Sequence, residues 1–350
     1  MQTTKSIRKK ERKKERKSNF EMLRIISMFM VLLLHADFQA LGEPTYTDIV
    51  SSPYISAIRV FLEMACIIAV NVFILISGYF GIRPTIKGFS KFVFQWLFFS
   101  IGIYVVMILM DYSKFSLNNL ATCLLLKSDT SYWFIPSYIC LYFLAPVLNS
   151  FIDTAKKTQF IYVLLSFIIF QTIYGFITNG TSFFMNGYSA ISFMGLYLLA
   201  GFVKAHIDIS KYNKWFFANT YLLITMSLTI IWMVTIYFES SIVYSRILRY
   251  SNPFIIASSL CLLLLFSKIS FSSTIVNKIA ASSFAVYLLH CHPFLYSYYL
   301  ESIRSINVSN VFIHALCILC IICLWFIIAI LLDLLRFFIW NRLQFLNYKS

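Results

Sequence analysis

The chain has 350 residues, 60% of them apolar and 12% charged, with a mean hydropathy of +0.78 and a formal net charge of +15. That balance excludes a soluble globular domain and predicts an all-α polytopic membrane bundle. The positive charge calls for no nucleic-acid partner, because its distribution follows the bias of Lys and Arg toward the cytoplasmic ends of membrane spans.

Residues 1–17 carry nine Lys or Arg against two Glu and, with residues 18 and 19, read as a disordered basic tail that orients the first span. Contact with anionic lipid is its further option. The next stretch is too long, and too polar at its end, for the apolar region of a signal peptide, so no cleavage is expected. Ten segments then have a length that suits a bilayer: 20–41, 58–80, 92–110, 133–150, 160–177, 187–204, 215–237, 250–267, 280–300 and 311–333. Leu117–Leu126 reads as a re-entrant or interfacial piece.

With both termini cytoplasmic, the inner loops and the C-terminal tail hold thirteen basic residues and the outer ends six. The expected organisation is a multi-pass domain over 20–337 in a cell membrane, followed by a short cytoplasmic tail, 338–350. No loop has room for a soluble module, so any chemistry belongs to the bundle. There is no internal repeat, Gly-rich phosphate loop or Walker pattern. Abundant Ile, Phe, Lys and Asn beside little Gly and Ala suggest an AT-rich bacterial genome.

Ionisable side chains inside spans mark functional sites, because hydrocarbon penalises them. Arg24 and His35 share the first span, and eleven residues at 100° bring them within about 20° of one face, about 16.5 Å apart along the axis. In the second span Glu63 stands about 21 Å outward from Ser77-Gly78, and His290 lies about 15 Å into the ninth. Three titratable groups on three helices thus converge on one layer in the middle to outer half of the membrane. Each has a plainer reading: His290 alone as a satisfied polar residue, Glu63 as the i, i+4 partner of Arg59. Asp333 and Arg336 read as an ion pair at the inner end of the last span.

Cys317, Cys320 and Cys323 sit mid-helix among Leu and Ile without a second ligand pair, so they read as small apolar residues. His290 and His292 are about 200° apart on a helix and no H-x-x-x-H occurs, so no metal site and no permanently bound cofactor are expected. A His and carboxylate layer reached from a basic inner face suits abstraction of a proton from a hydroxyl that attacks an activated acyl group. The imidazole takes the proton, a neighbouring carboxylate fixes its tautomer, and Arg24, Lys87 and Lys91 attract the phosphates of an anionic donor. A proton-coupled transporter, such as a flippase of a lipid-linked saccharide, fits the composition equally well, although broken helices in paired positions are missing.

The segment Glu21–His35 resembles the R-x10-H signature of the acyltransferase 3 family of integral-membrane O-acyltransferases, and Asn71–Phe80 resembles its FFxxSG element, with Ile74 in place of the second Phe. Trp133-Phe134-Ile135-Pro136 through Ala145-Pro146 is similar to the fourth-span region of that family, and Ser283–His290 to its late IYLxH helix. The resemblance spans about residues 20–335. It implies transfer of acetyl or another short acyl group from cytoplasmic acyl-CoA (acetyl-CoA) to a hydroxyl of a polysaccharide or lipid-linked glycan at the outer face. In that scheme His35 is the catalytic histidine and Arg24 its partner cation, while the depth of Glu63, apart from the resemblance, makes it the expected orienting carboxylate. Ser77, Gly78, Lys91 and His290 would serve the donor, and Trp133 with Tyr132 would form an aromatic platform for the acceptor. The compact chain is similar to members associated with capsule and exopolysaccharide loci.

Overall fold

The computed structural model describes residues 17–125, 132–178, 183–240 and 246–347. The basic segment up to Arg16, Lys127 and Lys349 lie outside the described residues. Within them the chain is helical throughout and contains no strand: α1 Ser18–Leu34, α2 Tyr46–Ser51, α3 Pro53–Cys66, α4 Ala69–Phe80, α5 Ile86–Leu109, α6 Leu117–Leu125, α7 Phe134–Thr154, α8 Lys157–Gln171, α9 Ala190–His206, α10 Lys214–Tyr237, α11 Pro253–Ser267, α12 Thr274–His290, α13 Tyr296–Arg304 and α14 Val311–Asn347. This is the backbone hydrocarbon demands, since a helix satisfies its own N–H and C=O groups. We call the side on which α1 begins inner, following the orientation expected from charge.

Every expected span has a helical counterpart, and among the described residues seven are long and apolar enough to cross a bilayer unaided. The sixth and eighth, α9 and α11, have 17 and 15 residues. The second span, expected as one helix over 58–80, is interrupted at Ile67 and Ile68 without changing direction. The ninth departs most. Expected over 280–300, it begins at Thr274, ends at His290, and is followed by the separate helix α13. Pro293 lacks an N–H and disfavours helix at the residue before it, so the apolar run breaks there. His290 therefore lies sixteen residues, about 24 Å, along its helix and not the expected 15 Å.

Leu117–Leu125 is a short helix laid against α5. Ser100 Oγ donates to Cys123 O at 2.8 Å, and Tyr104 Oη accepts from Ser116 N at 2.9 Å. At the outer end of the first span a short helix, α2, is capped by Thr45 and Asp48, each side chain bonded to the other residue's backbone N–H.

Helix α1 is central. It packs on α12, α4, α3 and α11, and its side chains contribute to both large apolar clusters of the core. Phe20, Leu23 and Leu34 join the cluster formed with α4, α9 and α11, whereas Met28, Val31 and Leu32 join the one formed with α12 and α14. Close approach of α4 and α9 depends on Gly78. A Cβ there would lie 2.3 Å from the carbonyl oxygen of Tyr197, so only a glycine lets the two backbones meet.

Asp333 and Arg336 form the expected pair, but in the protein interior. Both are fully buried, with N···O 2.7 Å, and Gln95 Nε2 of α5 donates to Asp333 Oδ1 at 2.8 Å. The helix does not stop at 337 but continues to Asn347. Removing one member of a buried pair strands the other charge, so Asp333→Ala is expected to lower stability by about 3–5 kcal/mol. Unfolding of the detergent-solubilised variant, followed by tryptophan fluorescence, measures this, and an unchanged midpoint contradicts it.

Candidate active site

His35 begins a π-helical stretch, His35–Gln39, that continues α1. A π-turn inserts one residue into the helical ladder and is frequent at functional sites. Helix α13 holds this widened segment at both ends. Tyr299 Oη donates to Leu32 O at 2.7 Å, and Arg304 donates through Nε to Ala40 O at 2.8 Å and through Nη2 to Gln39 O at 3.0 Å. On the other flank Arg59 pairs with Asp37 at 2.6 Å and also donates to Gly42 O. Asp37 lies two residues beyond His35, inside the first span, and sequence reasoning passed over it; an ionisable residue at that depth was the available signal.

The partner of His35 is His290. His35 Nδ1 and His290 Nε2 are 3.1 Å apart, and His290 Nδ1 is 2.6 Å from Val286 O. A carbonyl only accepts, so His290 carries its proton on Nδ1. With both rings neutral, His290 Nε2 is then the acceptor and His35 Nδ1 the donor. This assigns the lone pair of His35 to Nε2. The two histidines lie at matching depth, His35 seventeen residues beyond the start of α1 and His290 sixteen beyond the start of α12, both helices beginning at the inner side.

His35 lines a cavity of about 480 Å³, a volume ordinary for a small-molecule site. Met28, Phe73 and Phe284 line it more deeply, while Gln39, Tyr296 and Trp133 lie toward its outer end. Three aromatic rings cluster on one wall: Trp133 to Tyr188 is 4.3 Å between centroids, Tyr188 to Tyr250 4.7 Å, and Trp133 to Tyr250 6.0 Å and near parallel. Asn71 Nδ2 holds the backbone of Tyr250 by donating to its carbonyl at 3.0 Å. Tyr188, Tyr250 and Tyr296 were missed in the sequence, where they are three of 22 tyrosines with no local pattern, and Tyr287, which belongs to the Ser283–His290 element, was given no role of its own.

Other expected members fall elsewhere. Glu63 makes no contact with His35; the orienting contact expected of it comes from His290, which was assigned to the donor. Its alternative partner Arg59 is taken by Asp37, and Glu63 Oε2 is buried without a hydrogen bond. Tyr132 is buried, its hydroxyl donating to Leu288 O, and forms no interfacial platform. Trp133 does reach the cavity.

Ser77 Oγ donates to Phe73 O at 3.0 Å and Gly78 packs on Tyr197, so neither lines this cavity; both lie about one turn inward of Phe73. Arg24, one turn inward of Met28, pairs with Glu21 at 2.5 Å and is about a third exposed. The Lys91 ammonium sits 4.4 Å above the Phe337 ring. The arrangement can therefore accept a proton at His35 Nε2 from a hydroxyl in the cavity, with the resulting imidazolium hydrogen bonded to His290.

If His290 fixes this tautomer, His290→Ala is expected to lower kcat for acyl transfer by about 10²-fold with KM little changed. His290→Gln, whose amide oxygen can accept from Nδ1, should retain more activity. Equal losses in the two variants would count against the tautomer assignment.

Residues 17–332 match the family model of the acyltransferase domain. Comparison with curated proteins and comparison with solved structures gave no match. With nine-tenths of its length covered by that model, and with His35 of the imidazole pair lining a cavity among its helices, this membrane protein belongs to the acyltransferase 3 family.

Proposed function

We propose that the chain is an O-acyltransferase that moves a short acyl group, acetyl in the simplest case, from acyl-CoA on the inner side to a hydroxyl of a surface polysaccharide or lipid-linked sugar. The observation that carries this reading is His35, its Nδ1 engaged by His290, at the wall of a cavity that is apolar at its deep end and aromatic at its outer end.

The donor thioester enters past Arg24, whose guanidinium attracts the CoA phosphates, and its pantetheine arm follows α1 outward for the ~16.5 Å between Arg24 and His35. Met28, Phe73 and Phe284 surround the acyl end. The acceptor enters at the Gln39 end, where the faces of Trp133, Tyr188 and Tyr250 suit the C–H face of a sugar ring. His35 Nε2 takes the hydroxyl proton as the oxygen attacks the thioester carbonyl. The carbon–sulfur bond breaks, and the proton passes to the departing CoA sulfur.

The test is CoA release by purified protein in lipid nanodiscs, with acetyl-CoA and a mixed pool of glycan acceptors. His35→Ala is expected to leave no more than a few per cent of the wild-type rate while inserting normally. Arg24→Ala should raise KM for the donor, and Arg24→Lys should recover part of the loss. Well-folded protein that releases no CoA from any of several donors would overturn the reading and favour a saccharide flippase, with the imidazole pair reread as a proton path.

A further inference from the structure

Beside the two imidazoles lies a third donor atom that proton transfer does not use. Cys291 Sγ is 3.2 Å from His290 Nε2 and 3.7 Å from His35 Nδ1, and Cys291 is not among the residues that line the cavity. His290 Nε2 has one lone pair, and both the His35 N–H and the Cys291 S–H are within reach of it. Hydrogen bonding thus leaves one of the two donors poorly satisfied. A cation would use all three atoms.

The spacing suits one. Around a tetrahedral ion with metal–nitrogen bonds near 2.0–2.1 Å and a metal–sulfur bond near 2.3 Å, the N···N edge is about 3.3 Å and each N···S edge about 3.6 Å. The observed edges are 3.1, 3.2 and 3.7 Å. His290 is already oriented as a ligand. Its Nδ1–H is anchored on Val286 O, the outer contact that metal-binding histidines typically make.

We propose that His35 Nδ1, His290 Nε2 and Cys291 Sγ form a site for a borderline-soft divalent cation of the zinc class, and that its occupancy switches the base off. Sequence spacing argued against zinc because it tests ligands close along the chain. Here one ligand comes from the first span and two from the ninth. His292, the neighbour the spacing set aside, does point elsewhere, with Nε2 3.0 Å from Ser100 O.

On binding, the Cys291 thiol releases its proton to solvent. The His35 proton moves from Nδ1 to Nε2 as the metal takes the Nδ1 lone pair. His35 Nε2 then carries a proton and cannot accept one from a hydroxyl. The fourth position of the metal remains for a solvent molecule, as in open zinc sites. The inhibitory half of this proposal rests on the acyltransferase reading, whereas the site itself does not.

The test uses the full chain in nanodiscs with metal alone as the probe. One equivalent of Co²⁺ is expected to give a thiolate-to-metal charge-transfer absorption that Cys291→Ser abolishes and Cys320→Ser leaves intact. Zn²⁺ should inhibit CoA release reversibly, with chelator restoring it. Cys291→Ser should turn over normally without metal, yet need far more Zn²⁺ for the same inhibition, exceeding the roughly 10–100-fold weakening that loss of an outer partner causes.

Should Cys291→Ser fail to insert, zinc X-ray absorption on the wild type decides, with two nitrogens and one sulfur expected in the first shell. A charge-transfer band that survives in Cys291→Ser, no band in the wild type, or a shell rich in sulfur would overturn the site. A band with no inhibition would overturn the switch, and absence of any CoA release would fall on the acyltransferase reading alone.

Discussion

A backbone carbonyl inside a bilayer has to find a donor, and this constraint governs how His35 is held. An unbroken α-helix would satisfy every carbonyl by itself and leave His35 wherever the helical period put it. The π-turn alters the ladder at the level of the imidazole, and the hydroxyl of Tyr299 and the guanidinium of Arg304 meet carbonyls on either side of it. The widening and its two clamps form one unit. Helix α13 is thus required by the first span even though its 9 residues are too few to cross the membrane.

The rest of the bundle serves the same end. Helix α1 sits between two apolar clusters, so each of its sides is fixed by packing before any polar contact is made. Helix α12 is fixed as closely, with Tyr132 donating to the carbonyl of Leu288 and the side chains of Ala285 to Leu289 buried. Two rigid helices beginning at one side bring one nitrogen of each histidine to hydrogen-bonding distance. Polar precision here follows from apolar packing, because neither imidazole could choose its position in a loose interior.

Much of this was readable from the chain. The spans follow from runs of apolar residues, and the face shared by Arg24 and His35 from the helical period. Asp333 and Arg336 were paired correctly because three residues apart on a helix are neighbours whatever the fold. What failed was tertiary. His290, and not Glu63, meets His35, because depth alone ranks candidates by height and says nothing of which helix is adjacent. The ninth span was placed six residues too late at its start and ten at its end, the latter because Pro293 was read as lying inside a hydrophobic run. The tyrosines of the cavity carry no local signature, since Tyr188, Tyr250 and Tyr296 meet only when their separate helices and turns pack.

The hydrogen bond from His290 Nδ1 to Val286 O has a consequence for the membrane itself. A proton captured at His35 can be shared with His290, but beyond His290 stands a peptide oxygen, which holds a proton donor without handing a proton on. On the Nδ1 side of His290 the relay is a cul-de-sac. A bundle that brings a titratable pair within reach of an outer cavity would otherwise risk acting as a conductor between two compartments. In the reaction we propose, ending the chain on main-chain oxygen would let acid–base chemistry proceed at that depth without opening a proton route through Val286.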